Sequence, residues 1–227
     1  MSGEGRGEGS SDVGIELGLL AAIERDSSVT QRSLARDLGI ALGLANAYLR
    51  RCVRKGLVKM REAPINRYGY YLTPQGFAEK SRLTAEYLTV SFDFFRRART
   101  DCAALFEHCE ARGWRRVALY GAGELAEIAT LGAGDSSVAV LCVIDPEKAG
   151  RRCAGLSVLA DLASARQAAG EAGLDAVILT DMRAPQASFE AVRAAALRCG
   201  WAADRVIAPS LLRISRAPAQ SLDEGAP

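Results

Sequence analysis

The sequence predicts an α/β chain of two unlike halves: a helical half closed by one β-hairpin, then a half in which strands and helices alternate around a parallel sheet. Three observations predict it. Two amphipathic helical patterns meet at a glycine between Gln31 and Gly56, and two β-prone runs flank a polar connection between Leu57 and Leu72. From Trp114 onward, short continuous apolar runs alternate with helical segments, the texture of a parallel sheet covered on both faces. A chain of 227 residues is long enough to bury two modest cores.

In the first half, Ile15, Leu17, Leu19, Leu20 and Ile23 predict a helix ending near Asp26-Ser27-Ser28. Thr30 is the expected N-cap of a second helix over 31–38, with Leu34, Ala35 and Leu38 inward. Gly39 supplies a positive φ for a sharp turn, and a third helix is expected from Leu42 to Lys55, closed by Gly56. Helix, tight turn and helix is the arrangement that seats one helix in the major groove of duplex DNA. Leu57–Arg61 and Tyr68–Leu72, joined through Pro64 and Asn66, then read as a hairpin, or wing. Thr73 and Pro74 start a further helical pattern that runs through Phe92, Phe94 and Phe95 to Phe106, as one helix or two, with an aromatic cluster suited to a dimer contact or to a monomer core.

In the second half, strands are expected at Arg116–Tyr120, Val138–Ile144, Ser157–Leu159, Asp175–Leu179 and Arg205–Ile207. Helices are expected to about Leu131, over Leu162–Ala172 and around Phe189–Arg198.

Charge is uneven. Residues 13–99 hold 15 Lys/Arg against 8 Asp/Glu, whereas residues 100–227 hold 13 against 16, so a basic footprint falls on the first half. No apolar run approaches the ~20 residues that cross a bilayer, and the Gly/Glu-rich start has no apolar core of a signal peptide; a cytoplasmic protein is expected. Six cysteines without a C-x-x-C pair and a single histidine, His108, match no zinc pattern and predict reduced, core-filling thiols.

Two groups of residues carry chemistry. On the third helix Ala45, Leu49 and Cys52 are expected inward, which turns Gly43, Asn46, Ala47 and Arg50 outward. Asn and Arg are the side chains that pair with adenine and guanine edges. Arg51, Arg54 and Lys55 suit phosphates or a brace for the helix, and Arg61 and Arg67 place charge on the wing. In the second half Gly121-Ala122-Gly123-Glu124-Leu125-Ala126 lies between a strand and a helix, where a glycine turn and helix start present N–H groups to a pyrophosphate. Asp145 ends the next strand, where a carboxylate would hold ribose hydroxyls. No acid–base pair of recognisable catalytic spacing accompanies this turn: Tyr120 and Lys148 form none.

The segment Gln31–Ile40, with Leu42-Gly43, Asn46, Lys55–Lys59 and Tyr71–Thr84, resembles the MarR-like winged helix-turn-helix regulators associated with exopolysaccharide gene clusters, over about residues 13–88. Ala41 departs from it: such proteins often place a Ser cap there, and its loss weakens the helix start by roughly 1 kcal/mol. The segments Tyr120–Glu124 and Val143–Pro146, with Gly150, Gly155 and Val158-Leu159, resemble small Rossmann-like domains of sugar-modifying and polysaccharide-biosynthesis proteins.

The resemblances imply a tail over 1–12, a winged helix-turn-helix domain over 13–88, a helical linker over 89–113, a Rossmann-like domain over 114–215 and a second tail over 216–227, both tails disordered. They imply a homodimeric, non-enzymatic regulator of transcription, bound to double-stranded DNA and not to membranes, whose second domain senses NAD(H) or a nucleotide-sugar and controls polysaccharide genes. The alternatives are a nucleotide-sugar or NAD-dependent enzyme with an accessory winged helix, and a second half that only dimerises.

Overall fold

The structure is a computed structural model that describes residues 5–63 and 67–215, with side chains from Asp12 onward except at 62, 63 and 67. It divides after Asp93 into two compact units.

The first unit holds α1 (Gly5–Arg25), α2 (Gln31–Asp37), α3 (Leu42–Arg54), β1 (Val58–Ala63) and β2 (Arg67–Leu72). The start of α4 (Pro74–Ala111) completes it. Its core is drawn from every element: Leu19, Leu20 and Ile23, then Leu34, then Tyr48, Leu49 and Cys52, then Val58, Tyr70 and Leu83. Thr30 caps α2 as expected, its Oγ1 accepting the Ser33 N–H at 3.1 Å while Ser33 Oγ accepts the Thr30 N–H at 2.9 Å. This reciprocal pair satisfies two of the donors a helix start leaves open. Gly39 (φ +64°) makes the turn, and Ala41 begins α3 with no side-chain cap. β1 and β2 pair antiparallel, with Val58 opposite Leu72 and Arg61 opposite Gly69.

Three glycine and threonine contacts explain the Tyr-Leu-Thr-Pro-x-Gly segment. Thr73 Oγ1 donates to the Gly56 carbonyl at 2.7 Å and accepts the Gly76 N–H at 3.0 Å. Gly76 lies against the start of β1, where an added Cβ would sit 2.1 Å from the Leu57 carbonyl oxygen. One hydroxyl and one missing side chain thus lock α4 to the end of α3.

The second unit takes the C-terminal part of α4, then β3 (Arg116–Tyr120), α5 (Glu124–Ala133), β4 (Ala139–Ile144), β5 (Arg152–Cys153), β6 (Leu156–Leu159), α6 (Leu162–Ala169), β7 (Ala176–Leu179), α7 (Pro185–Arg198) and β8 (Val206–Ile207). The sheet order is β5-β6-β4-β3-β7-β8. From β6 to β8 every pairing is parallel, and β5 joins β6 antiparallel. The chain enters at β3 in the middle, winds outward through β4 and β6, then crosses to β7 and β8. That reversal makes a doubly wound, Rossmann-like sheet with a crevice at the carboxyl ends of β3 and β7. Two apolar layers cover it. On one face Cys102, Phe106 and Leu125 pack on Val117, Leu119 and Ile178; on the other Leu162, Phe189 and Val192 pack on Ala118, Val177 and Leu179.

Two segments carry more structure than expected. Gly5–Asp12, expected inside a disordered tail, forms the first turns of α1 because the helix anchored by Leu19, Leu20 and Ile23 propagates N-terminally. Residues 89–113, expected as a helical linker, are helical to Ala111 as part of the one continuous helix α4, and Ala98, Cys102, Phe106 and Cys109, at helical spacing, are buried in the second core. Residues 216–227, expected to be a tail, lie outside the described residues. Five cysteines are buried and Cys199 is half-buried. Burial pushes the thiols of Cys52, Cys102 and Cys109 up to about 11, which suits apolar filling better than redox chemistry.

Candidate nucleic-acid interface and nucleotide crevice

α3 is amphipathic over its whole length. Ala45, Leu49 and Cys52 are buried as expected, and Tyr48 joins them. The opposite face carries Gly43 and Ala47 in its first half and Arg50, Arg51 and Arg54 in its second, all exposed. Small side chains at the helix start allow close approach to a groove floor, and guanidinium groups further along reach base edges or phosphates. Leu42 and Leu44, 47% and 42% exposed, flank Gly43, and apolar side chains in such positions are able to contact thymine methyl groups. Asn46 sits at the edge of this face, half-buried, and its Oδ1 is shielded with no partner among the described residues. A base contact from Asn46 therefore needs its side chain to swing outward.

Lys55 braces the helix. Its ammonium lies 2.9 Å from Glu16 of α1, whose side chain is 8% exposed. The Tyr48 hydroxyl donates to Asp12, and this bond to a carboxylate holds the phenol protonated, its pKa pushed up to about 12. On the wing, Arg61 and Lys59 are exposed on β1, beside Tyr68 and Tyr71 on β2. The side chain of Arg67 lies outside the described residues.

In the second unit the glycine turn falls where the spacing predicts, between β3 and α5. Gly121 adopts φ +107°, and a Cβ there would lie 2.5 Å from the backbone of Asp181 after β7. Gly123 is the N-cap of α5 with no side-chain cap, and a Cβ there meets nothing within 4 Å. Glu124 is exposed on the first turn and Leu125 is buried beneath it.

Asp145, expected to hold ribose hydroxyls, is engaged within the protein. Its carboxylate is fully buried and accepts the Ala122 N–H at 3.0 Å, the Glu147 N–H at 3.0 Å and the Arg183 guanidinium at 3.0 Å. No acceptor is left facing outward for ribose hydroxyls. The Ala122 N–H already holds an anion, and Glu124 and Glu127 add negative charge to the first turn of α5. A pyrophosphate held in the manner the spacing predicts does not fit this arrangement.

Arg183, which no sequence pattern singles out, organises the crevice. It contacts Asp145, Asp181 at 3.0 Å and Glu147, and the surrounding acids push its pKa further up. Burial alone would raise the Asp181 pKa, but hydrogen bonds from Ser188 (2.6 Å) and Arg183 outweigh it and hold the carboxyl below its ordinary value. Thr180 Oγ1 donates to the Gly121 carbonyl at 2.8 Å, and the Lys148 ammonium donates to the Ala122 carbonyl. Among the described residues no group of three or more His, Cys, Asp or Glu is placed to hold a metal, and no helix is long and apolar enough to cross a membrane.

Residues 14–59 match the family of winged helix-turn-helix DNA-binding domains. Among solved structures the chain is similar to MepR, a transcription regulator of the Staphylococcus aureus multidrug efflux pump MepA, at 23% identity and a TM-score of 0.31. That match covers 37% of this chain and 61% of MepR, so the chain spans less than two thirds of MepR's length. A comparison with curated proteins returned no match.

Proposed function

We propose that the chain is a transcription regulator of MarR-like type that binds double-stranded DNA through its N-terminal unit. The observation that carries this reading is the exposed face of α3, with Gly43 and Ala47 ahead of Arg50, Arg51 and Arg54 and a hairpin bearing Arg61 next to it. A winged helix-turn-helix seats such a helix in the major groove and sets its wing on the neighbouring backbone. A homodimer would present two such helices to a two-fold target site, and α4 offers a surface for it within the first unit, where Leu88 and Phe92, one turn apart, are 45% and 57% exposed. The second unit is the regulatory module. A nucleotide-containing effector at Gly121–Gly123 would have to draw Asp145 and Arg183 out of their present contacts, which makes the crevice a latch rather than an open cradle.

The test is fluorescence anisotropy of the full chain with labelled duplexes from upstream of its own gene, against scrambled duplexes of equal length. Sequence-selective binding that weakens steeply with salt supports the reading. Binding that is absent, or equal for scrambled DNA, overturns it.

A further inference from the structure

The C-terminal unit carries a second concavity, lined by no residue of the glycine turn. A cavity of about 860 Å³ opens between the last turns of α4, α7 and the β8 edge of the sheet. Its volume falls in the range of small-molecule sites, roughly 300–1,000 Å³. The floor is apolar: Phe189, Val206 and Ile207 are nearly fully buried, with Leu105 and Ile214 beside them.

The rim is cationic. Arg112, Arg193, Arg213 and the one histidine, His108, line it together with two carboxylates, Asp101 and Asp204. Both carboxylates are engaged. Asp101 accepts the Ser210 hydroxyl and the Leu211 N–H, each at 2.7 Å, and Asp204 pairs with Arg112 at 2.8 Å. The guanidinium groups of Arg193 and Arg213 have no hydrogen bond or ion pair among the described residues. Arg213 also holds a left-handed backbone (φ +49°, ψ +43°) that residues with a Cβ rarely adopt, its N–H tied to the Ser210 carbonyl at 3.0 Å. Two donor-rich cations without a partner among the described residues, beside an apolar floor, suit an oxyanion attached to an apolar body.

We propose that this cleft binds an amphipathic anion, its alkyl or aryl body on the Phe189, Val206 and Ile207 floor and its carboxylate or phosphoryl head on Arg193 and Arg213. The proposal is independent of the DNA-binding reading, and either can fail alone.

Titration of the full chain with 8-anilinonaphthalene-1-sulfonate, an aryl oxyanion that brightens in apolar sites, tests it. One saturable dye site per chain is expected. Arg193→Ala and Arg213→Ala should each weaken it about tenfold, Arg193→Lys should restore much of the loss, and Arg198→Ala, on α7 outside the cleft, should leave it unchanged. Decanoate or decyl phosphate should displace the dye, and whichever is tighter identifies the head group; inorganic phosphate at equal concentration should not. Circular dichroism of the two alanine variants should match that of the parent chain, since neither guanidinium has a partner to lose among the described residues. The proposal is overturned by the absence of a saturable site, by dye affinity in both alanine variants equal to that of the parent chain, or by displacement with inorganic phosphate alone.

Discussion

Replacing Gly121 by alanine separates a structural glycine turn from a ligand cradle. At φ +107° an L-residue is strained, which costs about 1–2 kcal/mol by analogy with left-handed backbone. The new methyl would also lie 2.5–2.6 Å from the N, Cα and Cβ of Asp181. Overpacking of that kind costs a further 1–3 kcal/mol or so, because backbone must move. The expected loss is therefore about 2–5 kcal/mol in the C-terminal unit, or roughly 7–18 °C in Tm for a unit of this size. Gly123→Ala is the control: φ is −158°, ordinary extended backbone, and the added methyl meets nothing within 4 Å. Its only expected cost is a poorer N-cap, about 0.5–1 kcal/mol. Both tryptophans, Trp114 and Trp201, belong to the C-terminal unit, so urea unfolding followed by their fluorescence reads that unit directly. Equal midpoints for the two variants, or an unchanged midpoint for Gly121→Ala, would refute the reasoning. A Gly123→Ala variant that keeps its stability but loses an NAD(H)-induced or nucleotide-sugar-induced Tm shift would restore the cradle.

Four further variants probe the other parts of the molecule. Arg50→Ala with Arg54→Ala should weaken DNA binding at least tenfold and reduce the slope of log K against log salt by up to about 0.9 for each phosphate that is no longer neutralised, measured by anisotropy. Lys55→Ala leaves the Glu16 carboxylate buried without its cation and should cost about 1–2 kcal/mol, discounted because Lys55 is 40% exposed; chemical denaturation with circular dichroism measures it. Leu88→Glu with Phe92→Glu should shift sedimentation from dimer toward monomer while the helical circular dichroism is retained. Glu110 is held down to about 2, chiefly by hydrogen bonds from the Ser137 side chain and backbone and from Ser136. Its pKa is lowered in the folded state, so the stability it contributes is present above about 4.5 and fades as pH falls toward 2. The Tm difference between Glu110→Gln and the parent chain should accordingly be full at pH 6 and shrink steadily from pH 4.5 to 3; a difference independent of pH would refute that assignment.

The parts of the fold legible in the sequence are those specified locally. Thr30, Gly39 and Pro74 act on neighbours within a few residues, as Thr73 does in capping α4, and the strands of the second unit are continuous apolar runs that only a doubly covered sheet can use. Tyr48 is harder to place, although Ala45, Tyr48, Leu49 and Cys52 carry the i, i+3, i+4, i+7 pattern of a buried face. Its hydroxyl suggests exposure, and its partner Asp12 falls in a stretch whose composition reads as a tail. The α4 extension is half visible in the seven-residue spacing of Cys102 and Cys109, and Ala98 and Phe106 complete that face. The fate of Asp145 is not legible, because its partner Arg183 lies 38 residues away on a loop after β7 and no local spacing announces an ion pair across a sheet. The glycine pattern identifies the turn correctly, but pattern alone does not distinguish N–H groups that await an anion from those that already hold one.

The burial of the thiols makes the chain its own stopwatch. Cys52 lies in the first core, and Cys102, Cys109, Cys142 and Cys153 are buried in the second unit. Each can be alkylated only when the structure around it opens, so mass spectrometry of the native sequence under dilute iodoacetamide would time the breathing of each core without any engineered label. Cys199, half-buried at the end of α7, should react first and mark zero. If DNA slows Cys52 alone while a ligand of the cleft slows the thiols of the second unit, the two binding events are local. If either slows both sets, the units share their stability.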